Sequence, residues 1–275
     1  MYWAGMILND VYDVDKDRIQ NRGRPLVDGR ISTSTARSVA YGLLIGGILT
    51  TILLSSYYAG SDPNQHPWES VFSIHYSTSF VAIGLGCTIW LYDGPLKATV
   101  LGPLLMGLCR VGSLLLGISI GWWLEPIQPW NAAYLWIAAI GHGVYVMGIT
   151  WAARREAEAK QTWTLGLGWS ICVIGIATLA SVSWFAPVGT RMGLAPNTSY
   201  PFAIALLALP WARRAILSLR SPSPSAIQMA VKQAILSIIF FDAILAAQFC
   251  GPWPAIIICS LIIPATILGR RLRST

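Results

Sequence analysis

Eight long apolar segments follow residue 38, and they constrain the fold of this chain more than any other feature of its sequence. Most are close to the ~20 residues that an α-helix needs to cross the hydrocarbon core of a bilayer. Because backbone polar groups in lipid must be satisfied within the structure, we predict helices and not open sheets. The segments are Val39–Tyr58, Ser73–Tyr92, Thr99–Gly121, Ala132–Ala153, Trp163–Phe185, Tyr200–Trp211, Gln228–Gly251 and Trp253–Leu268.

Three parts of this pattern are irregular. Tyr200–Trp211 is short, and we expect Ala212–Leu219 to complete it, whereas the last segment is interrupted at Pro264. Met1–Leu8 is apolar but too short to span, so we expect a helix stub whose beginning is absent. The sequence therefore predicts an all-α polytopic membrane helical bundle, with residues 1–275 as a single domain.

Composition and charge agree with a membrane protein. The chain is 55% hydrophobic and only 11% charged, whereas soluble proteins carry about 25% charged residues. If each apolar segment crosses once, all 19 Lys and Arg residues except Arg110 and Arg191 fall on one side. Positive residues mark the cytoplasmic side, so the net charge of +7 reports orientation and does not indicate nucleic-acid binding. We expect a multi-pass protein of the cell membrane, or of the inner membrane in a bacterium.

A dense charge cluster, Asn9–Leu26, precedes the apolar segments and holds four of the chain's 12 acidic residues. On a helix that turns by about 100° per residue, four oxygen-bearing side chains share roughly one quadrant. They are Asn9, Asp10, Asp13 and Asp17. Asp15 falls about 240° from Asn9, away from this stripe. Carboxylates on one stripe repel one another unless a cation lies between them.

The oxygen ligands of this stripe suit Mg²⁺, which takes one or two carboxylates together with water and substrate phosphates. Arg22 and Arg24 follow within reach of a phosphate, and guanidinium groups match phosphate oxygens. A calcium loop is excluded because Arg18 and Arg24 stand where that loop needs Gly and Glu. The remaining alternative is a solvated cytoplasmic loop whose charges only fix the topology. In the orientation above, the acidic stripe faces the cytoplasm.

Polar residues within the apolar segments are candidates for function. Arg110 either forms a structural ion pair, with Asp242 as a possible partner, or contacts a substrate. His142 is either a proton carrier or, as we expect, part of a helix–helix hydrogen bond. Lys97 closes a helix at the cytoplasmic surface, where it either binds an anion or extends to water. Glu156 and Glu158 form a second acidic spot or are ordinary loop charges.

The pattern Asn9-Asp10-x-x-Asp13-x-x-x-Asp17, followed by Arg24-Pro25-Leu26, resembles the first aspartate-rich motif of the UbiA superfamily of intramembrane prenyltransferases. The resemblance covers nearly the whole chain in helix order. Further motifs are similar to those of the UbiA-like EboC group. These are Tyr92-Asp93-Gly94-Pro95-Leu96-Lys97, Gly102-Pro103-Leu104, Met106-Gly107-x-Cys109-Arg110 and Leu115-Leu116-Gly117.

The resemblance implies that helices surround a cavity in which Mg²⁺ assists the ionisation of an isoprenyl diphosphate to an allyl cation. The cation then alkylates an acceptor, which the sequence does not identify. The implied metal ligands are Asp10, Asp13 and Asp17, and the implied catalytic residues are Asp13, Asp17 and Lys97. Substrate binding is implied for Asn9, Arg22, Arg24, Tyr92, Arg110 and Glu156. Membrane lipid is the expected surrounding, with no nucleic acid as a partner.

The family's second acidic motif is expected near Trp151–Glu158, where Glu156 and Glu158 lie two residues apart. Their side chains would diverge by about 200° on a helix. We also expect that the chain lacks the family's first helix and most of the second. These departures favour an alternative function, in which a non-catalytic UbiA-like protein binds a lipidic or prenylated metabolite for export or assembly.

Overall fold

The computed structural model describes residues 1–19, 24–60, 74–124, 132–154 and 162–271, and regular structure in these ranges is entirely helical. The predicted all-α class is therefore confirmed. The chain forms two compact units, Met1–Ile127 and Gln128–Thr275. The interpretation of residues 1–275 as one domain stays a prediction.

In its described residues, the first unit contains four helices, α1 (Tyr2–Ile19), α2 (Thr33–Gly60), α3 (Ile74–Asp93) and α4 (Gly102–Leu124). Ser32 starts α2, because its Oγ accepts a hydrogen bond from the Thr35 backbone N–H at 3.0 Å and so satisfies a free donor of the first turn. Small and aliphatic side chains of α1, α2 and α3 form a common core. Its buried members are Ala4, Leu8, Ala40, Leu44, Leu85 and Ile89. This core holds α1, which carries the acidic stripe, against α2 and α3.

The described part of the second unit contains six α-helices and a short 3₁₀ helix, Val182–Phe185. The α-helices are α5 (Ala133–Ala153), α6 (Thr162–Ser181), α7 (Ser199–Arg220), α8 (Pro224–Phe249), α9 (Pro252–Ser260) and α10 (Ile262–Arg271). A cluster of aromatic rings occupies the core, with Tyr145 packed edge-to-face against both Trp211 and Phe241. The Tyr145 hydroxyl also donates to the Ala234 carbonyl at 3.1 Å, which links α5 to α8.

In the residues that the structure describes, each of the eight apolar segments is mostly helical, and the short segment and the Pro-interrupted segment behave as predicted. α7 continues past Trp211 to Arg220 with Pro210 inside it. The last segment is divided at Leu261 into α9 and α10. Pro264 explains the division, because it has no N–H for the Ser260 carbonyl and its ring crowds that carbonyl.

Six of the described helices are long and apolar enough to cross a membrane, namely α2, α4, α5, α6, α7 and α8. Their number and composition identify an integral, multi-pass membrane protein. The cytoplasmic position of the acidic stripe stays a prediction.

Helices α5 and α6 approach each other closely at glycines. A Cβ atom on Gly175 would lie 2.6 Å from the Tyr145 backbone nitrogen, and one on Gly148 would lie 2.7 Å from the Cys172 nitrogen. Both distances are shorter than van der Waals contact and involve backbone atoms, which cannot rotate away. The packing of α5 on α6 therefore requires these glycines.

We expect Gly175→Ala to destabilise the protein by about 1–3 kcal/mol, because its methyl group would force α5 and α6 apart. Gly166→Ala is the matched control in the same helix, since a Cβ there would lie 4.0 Å from its nearest neighbour, Leu219 Cδ2. Thermal unfolding in detergent should show a lower midpoint for Gly175→Ala alone. Equal midpoints for the two variants would contradict this account of the α5–α6 contact.

His142 is fully buried and links α5 to α8. Its Nδ1 donates to the Ala138 carbonyl at 2.9 Å, and its Nε2 lies 3.0 Å from Asp242 Oδ1. The hydrogen bond to Ala138 lies within α5, and the approach to Asp242 brings α5 and α8 together without a hydrogen bond at Nε2 among the described residues, so the expected helix–helix hydrogen bond of His142 stays a prediction. The pairing of Arg110 with Asp242 stays a prediction.

Candidate active site

Helix α1 carries the first part of the charge cluster, from Asn9 to Ile19, and its regular turns place the predicted stripe on one face. Asp17, at the end of the stripe, is only 4% exposed. The Asp15 side chain is 88% exposed, in agreement with its predicted position off the stripe. Burial of an aspartate requires compensation of its charge, so the neighbours of the stripe determine what this site can bind.

Arg24 compensates the negative charge of Asp10 and Asp17, which form one half of the stripe. Its Nη1 lies 2.7 Å from Asp10 Oδ1 and 2.8 Å from Asp17 Oδ2, which are about two helical turns apart on α1. A compact turn after Arg24 fixes its backbone, because its carbonyl accepts from the Asp28 N–H at 2.9 Å. Gly29 completes this turn with a φ of 71°, a conformation that side chains with a Cβ rarely adopt.

Lys97 compensates the negative charge of Asp13 in the other half of the stripe, which also contains Asn9. Its Nζ donates to Asn9 Oδ1 at 2.5 Å and to Asp13 Oδ2, across more than 80 residues of sequence. The turn after α3 directs it there, since the Leu96 N–H donates to the Leu91 carbonyl at 3.0 Å and reverses the chain. Lys97 is thus directed at α1, and its side chain is only 22% exposed.

The donor set fits Mg²⁺ in its chemistry. Within the described ranges, no three acidic, His or Cys side chains converge on one point. The stripe instead forms two groups, the carboxylates of Asp10 and Asp17 and the carboxylate of Asp13 with the amide of Asn9, each bridged by one basic residue. Mg²⁺ needs only one or two carboxylates when water and phosphate oxygens complete its shell, so either group suffices.

A cavity of about 820 Å³ lies next to the stripe and is lined by residues of α1, α2, α3 and α4. Its walls are mostly apolar, and a few polar groups of the stripe and of α3 contribute to them. The polar lining residues include Asn9, Asp10, Tyr92 and Asp93, and the apolar ones include Met6, Leu85, Ile89, Met106 and Leu116. The volume is within the range of small-molecule sites, and an apolar wall with few polar groups is typical of them.

Asp93 is a site residue to which the sequence analysis gave no role. It is the last residue of α3, it follows the apolar segment Ser73–Tyr92, and it is 3% exposed. Burial raises the pKa of Asp93 to about 7, although the charge of Lys97 opposes the rise and that of Asp13 adds to it. An acidic residue directly after an apolar segment, before Gly94-Pro95, was the available signal.

The other predicted site residues differ in their positions. Tyr92 lines the cavity. Arg110 is half-buried on α4, next to the lining residue Cys109, and is not part of the cavity wall itself. Arg22 and Glu156 lie outside the described residues, as does Glu158. Their predicted roles stay predictions.

Comparison with known proteins gives matches at the level of a family. The model of the UbiA prenyltransferase family matches residues 1–241. The digeranylgeranylglyceryl phosphate synthase of Sulfurisphaera tokodaii is 45% identical over 54 residues, which are 20% of this chain and 19% of the relative. The enzyme of the same name from Methanocaldococcus jannaschii is 24% identical over 115 residues, or 40% of this chain and 41% of the relative.

These relatives are similar to only part of the chain. The first matches span about a fifth of the length of the curated relatives, with 19% covered in the Saccharolobus solfataricus enzyme as well. No solved structure matches the chain. The resemblance to the EboC group stays a prediction.

Proposed function

Because this chain belongs to the UbiA prenyltransferase family, we propose that it transfers a prenyl group from an isoprenyl diphosphate to an acceptor within the membrane. One observation carries this proposal. The acid and base cluster of α1, Arg24 and Lys97 adjoins an apolar cavity of about 820 Å³. An isoprenyl diphosphate has the same division, with a strongly charged head and a hydrocarbon tail.

In this proposal, Asp10, Asp13 and Asp17 would hold Mg²⁺, with Asn9 beside them. The metal, when bound, neutralises charge that develops on the leaving diphosphate. Arg24 and Lys97 exchange a carboxylate partner for a phosphate oxygen, since guanidinium and ammonium groups bind both kinds of oxygen. Preorganised positive groups of this kind stabilise charge where it develops in the transition state.

The apolar cavity supplies the second requirement, which is to keep water away from the allyl cation. Leu85, Ile89, Met106 and Leu116 line it with side chains that offer water no hydrogen bonds. Exclusion of water prevents hydrolysis of a reactive intermediate and strengthens electrostatic interactions inside the site. The same walls solvate the isoprenoid tail of the donor.

The predicted orientation would suit this role. If each apolar segment crosses once, nearly all Lys and Arg residues fall on the side of the acidic stripe, and the positive-inside rule predicts that this side is cytoplasmic. Water-soluble Mg²⁺ and the diphosphate head are available on that side. The hydrocarbon tail and a lipidic acceptor reach the cavity from the bilayer.

The alternative is a non-catalytic protein that binds a lipidic or prenylated metabolite. The ion pairs of Arg24 and Lys97 with the carboxylates favour it to a limited extent, because a protein that had lost metal binding would keep them as structural contacts. The intact stripe beside the cavity favours the enzyme. Turnover separates the two functions, since both predict binding and only the enzyme forms a product.

We expect the purified full chain, reconstituted with total lipid of its host cells, to transfer tritium from labelled geranylgeranyl or farnesyl diphosphate into an extractable lipid. Transfer should require Mg²⁺ and stop with EDTA. Phosphatase-resistant labelled lipid, measured by chromatography, distinguishes transfer from hydrolysis of the donor. Tight binding of the donor with no labelled product from any lipid fraction would support the non-catalytic alternative.

A further inference from the structure

The carboxyl group of Asp93 lies near the stripe but is not a member of its ion pairs with Arg24 and Lys97. It is 97% buried, since 3% is exposed, and it lines the cavity beside Ile89 and Cys109. Among the residues that the structure describes, it forms no hydrogen bond or ion pair, although it feels the charges of Lys97 and Asp13. A buried carboxyl group in a cavity wall without a hydrogen bond is unusual and indicates a ligand contact.

The position of Asp93 relative to the diphosphate end of the cavity indicates which ligand it contacts. A Cβ atom on Gly5 would lie 3.6 Å from Asp93 Oδ2, so this carboxyl group packs where α1 has no side chain. Gly5 precedes Asn9 by four residues, which places it about one helical turn, roughly 6 Å, from Asn9 toward the apolar end. The Lys97 contacts at Asn9 and Asp13 mark the end for the diphosphate. The first carbon of a donor bound there would lie on the apolar side, at the level of Asp93.

We propose that Asp93 binds the acceptor by accepting a hydrogen bond from the acceptor's hydroxyl or amine group. This bond holds the nucleophilic atom of the acceptor beside the first carbon of the prenyl donor. This inference rests on the proposed prenyl transfer. It assigns the acceptor to the class of amphipathic molecules that carry an O–H or N–H group on an apolar body. Phenols, alcohols and amines belong to this class, whereas acceptors without such a group do not.

The transfer step balances with Asp93 in this position. The carbon–oxygen bond of the donor breaks, and its electron pair leaves on the diphosphate. The bond between the acceptor oxygen or nitrogen and the first prenyl carbon forms, and the acceptor proton moves to an Asp93 oxygen. Uptake of this proton near neutral pH agrees with the effect of burial, which raises the pKa of Asp93.

A second metal position is the competing role for Asp93. Its immediate neighbours weigh against that role, because Ile89 and Gly5 offer no side-chain oxygen that could share a cation with Asp93. Donor binding tests this alternative directly. A metal ligand would be needed for Mg²⁺-dependent binding of the diphosphate, whereas an acceptor-binding residue would not.

The test compares two probes that differ by one hydroxyl group, 4-decylphenol and decylbenzene. Equilibrium binding of each is measured with the full chain at one fixed detergent concentration, so that partition into micelles affects all proteins equally. We expect the wild-type protein to prefer the phenol about tenfold, as for a hydrogen bond to a charged group. Asp93→Leu should reduce this preference to about one, and Asp93→Asn should retain part of it.

Binding of geranylgeranyl diphosphate with Mg²⁺ is measured on the same proteins and should change by less than about twofold in both variants. If the wild-type protein did not bind geranylgeranyl diphosphate, the proposed function would be overturned. The phenol comparison could still be measured, so it would test the role of Asp93 separately. An unchanged phenol preference in Asp93→Leu, or none in the wild-type protein, would overturn the role of Asp93. So would loss of donor binding in folded Asp93→Asn, which would assign Asp93 to the diphosphate site.

Discussion

Asp13→Asn is expected to lower the affinity for an isoprenyl diphosphate in Mg²⁺ at least about 100-fold, and to reduce prenyl transfer accordingly. Asp13 contacts Lys97 with one carboxylate oxygen and lies at the middle of the stripe. Asparagine keeps the size of the side chain and removes the charge that a divalent cation needs. Titration of the purified protein with labelled geranylgeranyl diphosphate measures the effect.

Asp15→Asn is the matched control, because it removes the same charge two residues away on the same helix. Its side chain is 88% exposed and forms only a loose pair with Arg18 at 3.7 Å. We expect its binding and transfer to stay within about twofold of the wild-type values, as exposed pairs contribute little. Equal losses in the two variants would mean that net charge matters and that the stripe is no specific site.

Lys97→Met should affect the diphosphate and the metal in opposite directions. Loss of the ammonium group removes a donor to the phosphate oxygens and should weaken donor binding or transfer about 100-fold. The same change frees Asn9 and Asp13 from their contact with Lys97, so the affinity of the donor-free protein for a divalent cation should rise. Mn²⁺ binding followed by electron paramagnetic resonance measures the second effect.

Lys16→Met supplies the control for Lys97. Lys16 lies 3.8 Å from the other oxygen of Asp13, but its side chain is 66% exposed and points to water. We expect little change in either affinity, because solvent screens this pair. A fall in Mn²⁺ affinity for Lys97→Met would refute the competition between Lys97 and the cation for Asp13.

The length and periodicity of the sequence pattern were sufficient to predict the helices of the fold and the acidic stripe on α1. The length of the apolar segments predicted the helices because a bilayer imposes that length. The 100° period predicted which side of α1 carries Asp13 and Asp17 and which carries Asp15. The break near Pro264 followed from the missing N–H of proline, which is a local property.

The partners of the stripe could not be predicted in this way, because they depend on tertiary packing. Lys97 meets Asn9 only because the turn after α3 reverses the chain next to α1. The burial of Asp93 depends on its packing beside Gly5 of α1, nearly 90 residues earlier. The contact of His142 with Asp242 likewise depends on the packing of α5 against α8. No periodic pattern in the sequence predicts any of these contacts.

The central claim is a working Mg²⁺-dependent diphosphate site, and one binding measurement tests it most directly. Geranylgeranyl and farnesyl diphosphate are titrated into the purified full chain with Mg²⁺ and with EDTA, for the wild-type protein and for Asp17→Asn. The account predicts binding that requires Mg²⁺ and is lost in the variant while the protein stays folded. Absence of binding in the folded wild-type protein, or binding that EDTA and Asp17→Asn leave unchanged, would contradict it.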